Sequence, residues 1–65
     1  MKFIIEVVRA GGGGHAEVLH RATADEISPK RVKVKADLLL DFWRGRGATL
    51  ARVLNGRGEE LYVSQ

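Results

Sequence analysis

Apolar side chains alternate from the start of the chain, with Phe3, Ile5 and Val7 on one face of an extended segment and Ile4, Glu6 and Val8 on the other. β-Branched and aromatic residues at that period predict a strand from about Lys2 to Arg9. Both of its faces are largely apolar, so it is expected at the centre of a sheet. Ala10 and the run Gly11 to Gly14 end it, because glycine loses the most backbone entropy on ordering and sits poorly inside a strand or helix. A second alternation runs from His15 to about Thr23, placing Val18, His20 and Ala22 on one face and Glu17, Leu19, Arg21 and Thr23 on the other. It is less apolar than the first, which suits an edge strand joined to its neighbour by the glycine loop.

From Ile27 to Gly47 the period changes to that of a helix. Ser28 is suited to the N-cap and Pro29 to the first helical position, where a missing N–H leaves nothing unpaired. Thr23 and Glu26 also have capping-box spacing, but a helix begun there would hold Pro29 in its interior at a cost of ~3 kcal/mol. Ile27 and Val32 have the spacing of a hydrophobic staple, and Gly45 or Gly47 can supply a left-handed C-cap after Trp43 or Arg44. Val32, Ala36, Leu39, Leu40 and Trp43 fall on one stripe, the face expected to cover a sheet. Val34, Leu38 and Phe42 form a second row on the flank. A helix resting on one sheet does not require that row, and contact with another copy of the chain is its simplest use.

Two further strands are expected, from Ala48 to Leu54 and from Leu61 to Val63, joined through Asn55-Gly56-Arg57-Gly58. Asn-Gly is the strongest two-residue hairpin signal, although the second glycine can lengthen the loop or mark a bulge. The order β-β-α-β-β predicts an α+β domain, an antiparallel sheet in spatial order 2-1-3-4 with the helix packed on one face.

Size sharpens the expectation of self-association. With 65 residues the chain forms one small domain, of a size that buries roughly 60% of the surface its unfolded form exposes. It has no cysteine, so disulfides and thiolate metal sites cannot reinforce it. Oligomerisation is the remaining common reinforcement, and a homodimer is expected. A composition that is 45% hydrophobic and 29% charged belongs to a folded protein. No apolar run approaches the roughly 18 residues of a membrane span, and Glu6 interrupts a first segment already too short for a signal sequence. A cytoplasmic protein with no membrane partner is therefore expected.

Charge adds an alternative. The net charge is +3 and the pI about 9.8, but the cations are unevenly spread. Between positions 28 and 57, Lys30, Arg31, Lys33, Lys35, Arg44, Arg46, Arg52 and Arg57 face only Asp37 and Asp41. Cations in the first turns of a helix oppose its dipole, typically at ~0.3 to 1 kcal/mol each when exposed. A phosphate backbone would neutralise them and release counterions, which makes these eight residues the candidate nucleic-acid-binding set. The competing account is that Asp25, Glu26 and solvent offset the cost. Helical projection also spreads Lys30, Arg31, Lys33 and Lys35 over both sides of the core stripe, whereas a DNA-binding face wants them together.

The remaining chemistry is sparse. Arg44-Gly45-Arg46-Gly47 and Gly56-Arg57-Gly58 have the composition of arginine-glycine RNA-binding tails, but at a helix end and a hairpin turn backbone geometry accounts for the glycines first. The Gly11 to Gly14 run precedes a strand, where a phosphate loop needs a helix. His15 and His20 lack a third metal ligand, and no serine or threonine has the base and orienter that nucleophilic catalysis requires. No enzymatic activity, metal or cofactor is expected. Trp43 reads as the largest core side chain, while Tyr62 could stack a base if it faced the uncovered side of the sheet. The sequence thus favours a non-enzymatic module working through self-association or a protein partner by way of Val34, Leu38 and Phe42, with a small basic nucleic-acid-binding protein as the alternative.

Overall fold

Strand β1 (Lys2–Ala10) lies between two neighbours and carries the core on one face, because Phe3, Ile5 and Val7 alternate onto the same side. The computed structural model describes residues 1–65, with the surroundings of Gly12 left out. A short 3-10 turn, Gly12–Gly14, carries the chain into β2 (Ala16–Asp25), and α1 (Pro29–Arg44), β3 (Leu50–Asn55) and β4 (Glu60–Ser64) follow. The four strands form one antiparallel sheet in the order β2-β1-β3-β4 with α1 on one face, the arrangement expected from the sequence.

Register determines what each face displays. On the helix side, Ala22, Ile5, Val53 and Tyr62 lie across the sheet in one row, and His20, Val7 and Ala51 in the next. Val32, Ala36 and Leu40 descend from α1 onto these rows and are fully buried, with Leu39 and Trp43 partly buried beside them. The helical stripe therefore packs as its spacing dictates. Its largest fully buried partner is Phe3, and Trp43 sits at the margin of the core, stacked on His20 with ring centroids 5.3 Å apart.

Local expectations are narrowed or corrected by how the ends of the elements are held. Ile27 is 86% exposed and forms no staple, because Val32 is wholly committed to the sheet core. Ser28 has the extended backbone of an N-cap but makes no side-chain capping bond. At the other end Gly45 is right-handed and Gly47, at φ 98°, is the left-handed residue, accepting a conformation that a side chain there would strain. In the β3–β4 connection Asn55 opens the turn and is not one of its two central residues. Its carboxamide oxygen accepts from the Arg57 and Glu59 amides at 2.9 and 3.0 Å, and Gly58 takes the left-handed position.

Candidate functional site

The helix lies mainly over β1, β3 and β4, and this sideways placement leaves the helix-side face of β2 only partly covered around Ala22. Ala22 and Ala24 on that face are too small to fill the space beneath the helix flank. The result is an apolar groove of about 410 Å³, bordered on the helix by Leu38, Leu39 and Phe42 and floored by Ala22, Ala24 and Ile5. Leu38 is 64% and Phe42 66% exposed. Val34, the first member of the sequence-derived row, is also exposed but does not line the groove. A helix turns by about 100° per residue, so a row at intervals of four drifts around it, carrying Leu38 and Phe42 to the β2 flank and leaving Val34 on the outer surface.

The groove ends in a small aromatic cluster. Phe42 meets Trp43 edge to face at 6.0 Å, and the Arg46 guanidinium lies over both rings at 5.8 and 5.3 Å. Arg46 is thus occupied locally, and Arg44 pairs with Asp41 one turn back at 3.3 Å. At the opposite end of the helix, Lys33 leans over the Tyr62 ring at 5.0 Å on the β4 flank. Lys35 lies on the β2 flank, where it binds Glu26 at 2.5 Å. The hydrogen bond from Lys35 holds the Glu26 carboxyl below its ordinary pKa, against the upward push of burial and with help from the positive charges of Lys35 and Arg31. Glu26 thereby offsets the cations at the helix start, while Asp25 pairs instead with the Met1 ammonium at 3.2 Å.

The eight candidate nucleic-acid residues are not brought onto one surface. Lys30 and Lys33 project on the β4 flank of α1 and Arg31 and Lys35 on the β2 flank, Arg44 and Arg46 sit at the helix C-terminus, and Arg57 is in the β3–β4 turn. Arg52 belongs to β3 on the side of the sheet away from the helix. Tyr62 faces the helix, donating a hydrogen bond to Asp37 at 3.3 Å, so its ring is not on the uncovered face.

That uncovered face holds a group the sequence reading passed over. Arg21, Glu6 and Arg52 lie directly opposite one another on β2, β1 and β3. Glu6, 2% exposed, accepts from Arg21 Nε and Nη2 at 2.9 and 2.5 Å on one oxygen and from Arg52 Nε at 2.7 Å on the other. Burial pushes the carboxyl pKa up, and the hydrogen bonds and charges of the two arginines overcome it, leaving the group below its ordinary value. One signal was available: a lone glutamate between Ile4 and Val8 on an apolar row needs a partner from each neighbouring strand.

No family model, curated protein or solved structure matches this chain.

Two chemically distinct surfaces therefore flank the sheet. One is an apolar groove open along the β2 edge. The other is an ionic row whose arginines, Arg21 mostly and Arg52 partly exposed, shield a carboxylate and share its charge. Among the described residues no three His, Cys, Asp or Glu side chains are grouped to hold a metal ion, and no helix is long and apolar enough to cross a membrane.

Proposed function

We propose that this chain is a non-enzymatic module that works by associating with a second copy of itself through the groove between α1 and β2. The supporting observation is the meeting of two exposed apolar side chains, Leu38 and Phe42, with a strand edge whose helix-side residues at the groove are Ala22 and Ala24. Burying the roughly two-thirds of both side chains that is exposed in each copy removes four large apolar groups from water, at ~1 to 2 kcal/mol apiece. That total is on the scale of the ~4 to 15 kcal/mol of freedom lost on association. A core this small also gains directly from a partner, because binding of the native state adds to its stability.

Sedimentation velocity across a wide concentration range tests the reading. The wild-type chain is expected to shift from monomer to dimer with concentration, and Leu38→Asp to raise the dissociation constant at least 100-fold with its far-ultraviolet circular dichroism unchanged. A wild-type chain that stays monomeric at millimolar concentration refutes it.

The second reading, a small basic nucleic-acid-binding protein, gains support from the position of Arg31 and Lys35. Both lie on the groove flank, so a dimer formed there brings two sets of them to one side of the assembly. It ranks second because the remaining cations are dispersed and Lys35 and Arg46 already have partners. Fluorescence anisotropy with labelled duplex DNA and single-stranded RNA is expected to show salt-dependent binding whose slope falls when Arg31 and Lys35 become alanine. Absence of binding to either probe at low salt eliminates the nucleic-acid reading.

A further inference from the structure

We infer that β2 is the strand that joins the two copies, pairing antiparallel with β2 of the partner subunit about a two-fold axis at Thr23, so that two four-stranded sheets become one of eight strands. This rests on the self-association reading and specifies its geometry.

The two edges of the sheet differ in how well they are guarded. β4 has five residues and is bulged at Leu61, where the register against β3 shifts. β2 has ten, and from His20 to Asp25 it pairs with β1 without interruption and contains neither proline nor lysine. Its only neighbour is β1, so alternate backbone amides and carbonyls along this stretch point away from the sheet. A regular stretch of six residues without proline or lysine is a template for strand addition. The apolar groove lies directly above it.

Pairing β2 with itself leaves few registers, because directly opposed residues in an antiparallel ladder share a face. Helix-side His20, Ala22 and Ala24 must oppose one another, and so must Arg21, Thr23 and Asp25. Axes at Leu19 and His20 both bring into the seam the bulge where β2 carries a residue with no counterpart on β1, the first at its centre and the second opposite Arg21. An axis at Arg21 sets arginine against arginine and Glu17 against aspartate. An axis at Ala22 sets Asp25 against the bulged leucine, and one at Ala24 pairs only Thr23 to Asp25, three residues against five for an axis at Thr23.

The axis at Thr23 is complementary along its whole ladder, from Arg21 to Asp25. Arg21, which also holds Glu6, then faces Asp25 of the partner subunit, which also meets its own Met1 ammonium, on both sides of the axis; threonine faces threonine, and Ala22 faces Ala24 of the partner subunit. Like charges directly opposite are avoided, which is the larger part of what selects the register at an exposed edge. The four alanines meet on the helix side, where their small size leaves room for Leu38 and Phe42 from the two helices to close over the seam.

The absence of cysteine makes the register directly testable. Thr23→Cys would place two thiols across the axis with Cα atoms about 4.5 to 5.5 Å apart, within disulfide reach. Asp25→Cys would place its two copies four strand residues apart, about 13 Å, which no disulfide spans. Mild oxidation at a concentration where the wild type is dimeric is expected to convert most of the Thr23→Cys chain to a covalent dimer on a non-reducing gel, and little of Asp25→Cys. Mixing Arg21→Cys with Asp25→Cys should yield the heterotypic dimer preferentially. If the wild type is dimeric by sedimentation but Thr23→Cys fails to cross-link, or cross-links no better than Asp25→Cys, the β2 pairing is wrong while self-association stands. A monomeric wild type removes both.

Discussion

Replacing Leu40 with alanine is expected to destabilise the fold by about 2 to 5 kcal/mol, whereas the same change at Leu38, two positions earlier on the same helix, should cost the monomer less than about 0.5 kcal/mol. Leu40 is 1% exposed and faces the sheet, so truncation leaves a cavity that rigid strands cannot close. Leu38 is mostly exposed and leaves none. A domain of this size is typically stable by roughly 0.05 to 0.15 kcal/mol per residue, so the Leu40 loss is comparable with the whole. Urea denaturation followed by circular dichroism at 222 nm provides the measurement. At concentrations where the wild type is dimeric, the Leu38 change should become costly as well, because association then contributes to apparent stability. The pair of variants thus separates the face that makes the fold from the face available to a partner.

Glu6 is the second position with a large expected effect. Its carboxyl titrates in the folded chain below its ordinary value, since the arginine hydrogen bonds and charges exceed the upward push of burial. A group with a depressed folded pKa stabilises the fold fully above its unfolded pKa, near 4.5. That stabilisation is lost as pH falls through the folded value. The wild type is therefore expected to hold its stability from pH 7 to about pH 5 and to lose it on further acidification, with Glu26 contributing in the same direction.

Glu6→Gln should be less stable at pH 7 by about 1 to 3 kcal/mol, because Arg21 and Arg52 are left facing each other across β1 without a carboxylate. Their partial exposure lets water solvate them, which keeps the cost below that of a fully buried unpaired charge. The variant should also show a flatter acid limb. Chemical denaturation at a series of pH values checks both expectations. Equal pH profiles for the two proteins would show that the ionic row does not couple to folding.

Much of the fold was legible because its determinants are local. Phe3, Ile5 and Val7 alternate in a way that only a strand can use, and apolar residues on both faces placed that strand at the centre. Val32, Ala36 and Leu40 share a helical face, and Pro29 can begin a helix but not interrupt one. With a helix separating two hairpins, short connections left few sheet orders, and the one expected is the one found.

The candidate site was legible only in part. Leu38 and Phe42 stood out as surplus apolar residues, but the side of the helix on which β2 would lie, which separates them from Val34, is not written in their spacing. That distinction arises from the drift of the row around the helix and from what lies beneath its far end. The one-residue bulge at Leu19 and the role of Asn55 in opening the final turn were equally hidden, since each depends on which backbone groups meet across a ladder. Glu6 was noticed as an interruption in an apolar segment and not as the centre of an ionic row, because its partners are 15 and 46 residues away.

What the sequence by itself determined is the identity of the elements and the face each would bury, because the periods of strand and helix convert spacing directly into direction. What only the tertiary structure decided is which parts of those faces are covered. The helix settles where Val32, Ala36 and Leu40 fit closest against β1 and β3, and the alanines of β2 are too small to draw it across. The groove, the open edge and the carboxylate held between two arginines all follow from that lateral placement and from strand register, which depend on volumes and pairings between residues far apart in the chain.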